Sequence, residues 1–161
     1  MAKKTKYSQY FLTDFKEGAN HAAVASPQAY FRGARQLPGA TLNMGWQVFT
    51  KPIQLEKEAH THDFDEYLVF LGAKLPDVFS SFKAEIDFYI GEELEYHPIT
   101  KATIIFIPAG LTHCPLNFKK LDEPVLFHAI LLSPRFTKKT AGKEYAYDGP
   151  NYGGAGPMIE D

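Results

Sequence analysis

Between residues 41 and 132 the chain is written in short runs that stop at glycine or proline. TLNMGWQVFT (41–50) alternates, with Met44, Trp46 and Val48 on one face and Asn43, Gly45 and Gln47 on the other. AEIDFYI (84–90) has the same period of two, setting Ala84, Ile86, Phe88 and Ile90 against Glu85, Asp87 and Tyr89. EYLVFL (66–71), ATIIFI (102–107) and VLFHAILL (125–132) are almost wholly apolar and stop at Gly72, Pro108 and Pro134. The first of these is expected to be buried on both faces. A period of two sends successive side chains to opposite sides of a strand. Short strands at intervals, with Gly and Pro between them, specify a sandwich or barrel of antiparallel strands. Helix is expected to be a minor component.

The flanks read differently. Residues 1–40 have no sustained period and end in a Pro38-Gly39 turn, which predicts an N-terminal arm packing on a barrel of residues 41–135. Residues 136–161 form a tail rich in Gly and Pro. Its last part is either flexible or an arm whose Tyr145, Tyr147 and Tyr152 pack over the barrel mouth.

A chain of 161 residues with 45% apolar side chains can bury a sizeable single core. With a net charge of −2 and both signs interspersed, no basic face for nucleic acid can be drawn. The single cysteine, Cys114, excludes an internal disulfide and a Cys-only zinc site. The basic N-terminus is not followed by the apolar core of a signal peptide, and no apolar run approaches a membrane span. A cytoplasmic location is therefore expected.

The residues that carry chemistry stand at the entrance to the strand 66–71. His60, His62 and Glu66 share even parity with Leu68 and Phe70, so an extended chain would point all of them to one side. Two imidazoles and a carboxylate can converge on one ion at about 2.0–2.2 Å, and this N/O set suits a divalent transition metal. A second segment, ATIIFIPAGLTHCPLN (102–117), ends a strand at Pro108-Ala109-Gly110 and presents His113 just after the turn. A turn leading back to the same barrel mouth would supply a fourth ligand.

Together the two segments resemble the cupin superfamily. Its first motif, G-x5-HxH-x3,4-E-x6-G, is matched by His60, His62 and Glu66. Gln54 stands at the leading glycine, and Gly72 closes one residue early. The second, G-x5-PxG-x2-H-x3-N, is matched at full spacing by Pro108, Gly110, His113 and Asn117, with Ala102 at its leading glycine. The departures fall on turn glycines, and no ligand position is lost. The resemblance spans about residues 41–132. It implies an all-β, double-stranded β-helix (a jelly-roll barrel) holding one metal, Fe, Mn, Ni, Cu or Zn, on His60, His62, Glu66 and His113. Three neutral histidines and a carboxylate would leave a divalent ion with a formal +1 charge and positions open to water, substrate or dioxygen.

The implied function is a metal-dependent enzyme acting on a small polar, carboxylate-bearing or chelating molecule, as a dioxygenase or as a lyase or isomerase. A non-catalytic metal-containing binding or sensing module is the alternative. Family members of this size pair as dimers, so a homodimer is expected.

Other residues are weaker candidates. His128, in phase with Leu126 and Ile130, is either a core histidine or an acid/base group facing the cavity. Gln47, with Asn43, could bind substrate if the polar face of 41–50 lines the cavity. Arg32 or Arg35 could clamp a carboxylate if the arm crosses the mouth. Cys114, next to a ligand, should point away from the metal on an extended backbone. Asn117 is expected to fix the turn.

Overall fold

The computed structural model describes residues 5–19 and 21–147, together with the backbone of 159–160. Its strands are β1 (Lys16–Glu17), β2 (Gln28–Phe31), β3 (Asn43–Phe49), β4 (Ile53–Glu56), β5 (Glu66–Gly72), β6 (Ala84–Ile90), β7 (Glu95–Ile99), β8 (Thr103–Ile107), β9 (His113–Leu121), β10 (Val125–Leu131), β11 (Phe136–Thr140), β12 (Lys143–Tyr147) and β13 (Ile159–Glu160). Helix among the described residues is confined to two 3-10 turns, Ser8–Tyr10 and Gly33–Arg35. No helix among these residues is long and apolar enough to cross a membrane.

Six strands form one sheet in the order β1-β2-β3-β10-β5-β8, and four form a second in the order β4-β9-β6-β7. All pairings are antiparallel. The strands read from the sequence within 41–132 are all present, and the two sheets face one another as a jelly-roll barrel. Phe49, Phe70 and Phe127 project from the six-stranded sheet, and Ile86, Phe88, Leu116 and Phe118 from the four-stranded one, into a single core. At its centre the rings of Phe49 and Phe118 stack with centroids 4.0 Å apart, both side chains wholly buried.

On β3 the inner face is the polar one. Asn43, Gly45, Gln47 and Phe49 are buried, while Met44, Trp46 and Val48 are half-buried on the outside. There the indole lies against Phe15 of the N-terminal segment, at 6.0 Å, and stacks on His128 at 4.6 Å. β5 is covered unevenly instead of being buried on both sides. Glu66, Leu68 and Phe70 face the core, whereas Tyr67, Val69 and Leu71 are half-buried. The cause is its neighbour β8, an edge strand whose Ile104 and Phe106 stand 68% and 50% exposed beside it.

Gly72 closes β5 where the chain returns against it. A Cβ there would lie 2.5 Å from the Phe82 amide nitrogen and would overlap the Ser81 hydroxyl. Because the obstacle is partly backbone, Gly72→Ala should destabilise the protein by about 1–3 kcal/mol, read as a lower urea midpoint at unchanged slope.

The stretch expected to be a tail from residue 136 begins with a hairpin, β11–β12, extended by β13. Thr61 and Lys139 exchange backbone hydrogen bonds of 3.0 and 2.8 Å, which fastens this hairpin to the segment ahead of β5. Tyr145 is half-buried against a cluster of Phe64, Leu131 and Phe136. Tyr147 lies in β12, and Tyr152 is outside the described residues.

Candidate metal centre

His60 and His113 are brought together by the backbone before their side chains matter. Each donates its amide N–H to the other's carbonyl at 3.0 Å, an isolated antiparallel bridge between the segment ahead of β5 and the first residue of β9. The Pro108–Gly110 turn is tied to the same place, because Gly110 N–H donates to the His62 carbonyl at 2.8 Å. Asp65 also serves this turn, its carboxylate accepting the Ala109 N–H at 2.9 Å. The chain between His62 and Glu66 bends at residues 63–64 instead of running extended, and Phe64 stacks on the His62 ring at 4.8 Å. Despite the bend, His60, His62, Glu66 and His113 are all buried on the inner side.

Backbone carbonyls fix the imidazoles. The Nδ1 of His62 lies 2.5 Å from the Thr137 carbonyl, that of His113 2.9 Å from Leu111, and that of His60 3.3 Å from Glu58. A carbonyl can only accept, so each Nδ1 carries the proton and each Nε2 presents a lone pair. These lone pairs converge. The Nε2 atoms of His62 and His113 lie 3.1 and 3.2 Å from Glu66 Oε2, and none of the three atoms has a hydrogen-bond partner. The histidine ligand atoms lie within 4.8 Å of one another. Lone pairs that meet at this range form an arrangement that a bound cation would satisfy. Ligands about 2.1 Å from one ion and at right angles to each other would be about 3 Å apart, close to the spacing of Glu66 from His62 and His113.

The electrostatics agree. Burial, reinforced by the neighbouring His113 and His62, pushes His60 down to about 2, so it remains a neutral ligand. Burial alone would raise Glu66, but the adjacent His113 and His62 outweigh it and hold the carboxyl below its usual range. Burial likewise acts to lower His113, but Glu66 reverses the sign.

The four side chains close one end of a cavity of about 60 Å³, walled also by Tyr30, Gln47, Glu56, Phe127 and Phe136. Gln47 faces this space and donates from Nε2 to Gln28 Oε1 at 2.9 Å. Asn43 is buried on the same face but is committed elsewhere, accepting from the Tyr30 hydroxyl at 3.0 Å and donating to the Ser133 carbonyl at 2.8 Å.

Three expectations for this site are corrected. His128 does not face the cavity. Phe127 and Ala129 do, and strand parity turns the imidazole outward onto Trp46. Arg32 does not reach the mouth, because its guanidinium is held in a forked pair by Glu17 at 2.8 and 2.7 Å and lies over the Tyr30 ring. Arg35 is exposed on the 3-10 turn Gly33–Arg35 and does not line the cavity.

Cys114 faces the cavity although it follows a ligand. Its φ of +76° and the slipped register between Phe88 and Ile90 mark a bulge, so neighbouring residues no longer alternate. Burial pushes its thiol well up, which keeps it protonated.

Tyr30, Glu56 and Phe136 lie in the wall unannounced by any motif. Tyr30 had a faint signal in its partner. It pairs across the sheet with Gly45, and a Cβ on Gly45 would come within 2.5 Å of the tyrosine ring.

No protein-family model and no curated protein matches the sequence. Solved structures do match the fold. Peruvianin-I, a cysteine peptidase from Thevetia peruviana latex, superposes over 86% of this chain and 80% of its own, with a TM-score of 0.53 at 17% identity. An oxalate oxidase in complex with the substrate analogue glycolate covers 83% of this chain, with a TM-score of 0.53 at 14% identity. The chain has the cupin fold. It is similar also to the oxalate decarboxylase of Lactobacillus farciminis, over 78% of its length, with a TM-score of 0.50 at 13% identity. The chain spans 64% of the oxidase chain and 33% of the decarboxylase chain. A peptidase, an oxidase and a decarboxylase sharing one barrel shows that the fold leaves the reaction open.

Proposed function

We propose that the protein is a metal-dependent cupin enzyme that acts on a small carboxylate-bearing or chelating molecule. The observation that carries the reading is the meeting of His62 Nε2, His113 Nε2 and Glu66 Oε2, without hydrogen bonds, in the wall of one small cavity. His60, His62, Glu66 and His113 would hold one divalent transition metal. When bound, that ion supplies Lewis-acid or redox chemistry to whatever shares the cavity with it.

The chain's own residues define the rest. A space of about 60 Å³ admits a molecule of only a few heavy atoms. Phe127, Phe136 and Leu68 give that space apolar walls, and Gln47 offers an amide for orientation. Oxalate and glycolate, the small acids named with the similar structures, have the appropriate size. Oxidation by dioxygen and lyase or isomerase chemistry both suit this arrangement, and oxygen uptake separates them.

The test uses untagged protein purified without added metal. Elemental analysis should find about one transition-metal ion per chain. Incubation with oxalate or glycolate should then yield product, with dioxygen consumed in the oxidative case and untouched in the lyase case. Absence of metal, with none loadable afterwards, overturns the proposal. Tight binding of the acids without turnover would identify a binding module instead.

The proposal extends to a pair of chains. Ile104 and Phe106 on the outer face of the edge strand β8 are exposed apolar side chains that a second copy would cover.

A further inference from the structure

Glu56, the last residue of β4, is the one carboxylate in the described cavity wall besides Glu66. It accepts a charge-assisted hydrogen bond from Lys138 Nζ at 3.2 Å, with the two side chains only 18% and 11% exposed. Lys138 arrives on β11, directly after Thr137, whose carbonyl holds His62. The hairpin therefore braces a metal-site histidine and a wall carboxylate with successive residues.

A buried ion pair is a poor way to gain stability. Desolvating two charges costs about as much as their attraction returns, and an apolar pair of similar volume would pack as well. Here the carboxylate of the pair stands in the wall of the cavity that His60, His62 and His113 also line. The charged groups that act on Glu56 are Lys138, Glu66 and His62. Burial pushes its carboxyl up, and Lys138 opposes that rise. Cys114, also in the wall, is held protonated.

We propose that Glu56 is the acid–base residue of this cavity and that Lys138 is the positioning residue that aims it. The inference rests on the proposed action on a small acid. Glu56 takes up a proton from solvent as the acid enters and becomes a neutral acid. It gives that proton to the substrate atom on which an electron pair develops, the proton leaves on the product, and Glu56 is again a carboxylate. No electrons pass through Glu56, and its net proton balance is zero.

The test is proton-linked binding of oxalate to the metal-loaded full chain. Calorimetry in buffers of different ionisation heat counts the protons taken up. A dianion arriving beside Glu56 raises its proton affinity, so the wild type takes up protons that Glu56→Gln does not, while metal content is unchanged. Lys138→Met should also reduce the uptake, because Lys138 opposes the rise that burial imposes on the Glu56 carboxyl, and Lys138→Arg should restore it. The inference is overturned if Glu56→Gln takes up as many protons as the wild type, or if it loses the metal. Should Glu56→Gln fail to fold, the Lys138 pair of variants decides on the same readout. A wild type that holds metal but ignores oxalate removes both the acid substrate and the role of Glu56. A wild type that cannot hold metal removes the proposed function itself.

Discussion

Alanine at His113 should leave a folded protein that no longer retains metal. Elemental analysis is expected to fall from about one ion per chain to a trace. Affinity measured against a competing chelator should drop by more than about 100-fold, beyond what loss of an outer hydrogen-bond partner costs. The size follows from the geometry, since His113 Nε2 is one of the convergent atoms and its backbone also carries the bridge to His60. The bridge survives the substitution because it is made by main-chain atoms. His97→Ala is the control. That histidine lies on β7, exposed and paired with Glu95, and its loss should leave metal content unchanged.

Acid adds a second readout. In the metal-free protein His60 titrates near 2, against about 6.5 when unfolded. A depressed histidine means that the unfolded chain binds the proton first. The His60 contribution to stability is therefore complete above pH 6.5 and is lost as pH falls from 6.5 toward 2. The slope is about 1.4 kcal/mol per pH unit for one proton. Bound metal opposes protonation of its ligands, so holo protein should withstand acid further than apo protein. Chemical denaturation of both forms between pH 7 and 4 checks the difference.

The largest effect on stability is expected at Phe118. Its ring is wholly buried, stacks on Phe49 at 4.0 Å and lies within 6.1 Å of Phe70 and 5.9 Å of Phe127. It is the contact through which the four-stranded sheet meets the six-stranded one. Phe118→Ala removes this packing and leaves a cavity that the flanking aromatics, held on two hydrogen-bonded sheets, cannot collapse to fill. The cost should be about 3–5 kcal/mol, near 10 °C in melting temperature for a chain of this size. Phe79→Ala, at a position 70% exposed, should shift stability by less than about 0.5 kcal/mol.

The sequence made the barrel legible where one face of a strand is buried. On β6 the alternation of Ala84, Ile86 and Phe88 with Glu85 and Asp87 matches what the core and solvent see. On β3 the same alternation was readable but its sense was not. Its polar residues point inward, because the N-terminal segment covers the outer face and the cavity needs polar walls. Local spacing brought His60, His62 and Glu66 together, and the Pro-Ala-Gly turn brought His113. Lys138 and Tyr30 were invisible for a different reason. Their places depend on pairings made across the fold, between β11 and the segment before β5 and between β2 and β3. His128 misled because phase along a strand tells which residues share a side, without telling which side is the cavity.

The order in which the site is assembled follows from the hairpin. A ribosome delivers His60, His62, Glu66 and His113 well before Thr137, yet it is the Thr137 carbonyl that holds the His62 Nδ1. A nascent chain exposed only as far as residue 135 would carry all four side chains with one imidazole still lacking that carbonyl. Residues 136–140 then lock it and, through the Thr61–Lys139 bridge, seat Phe136 in the wall. Full affinity for an ion is thereby expected only once residues 136–140 have docked, so that metal retention would report on the docking of the β11–β12 hairpin.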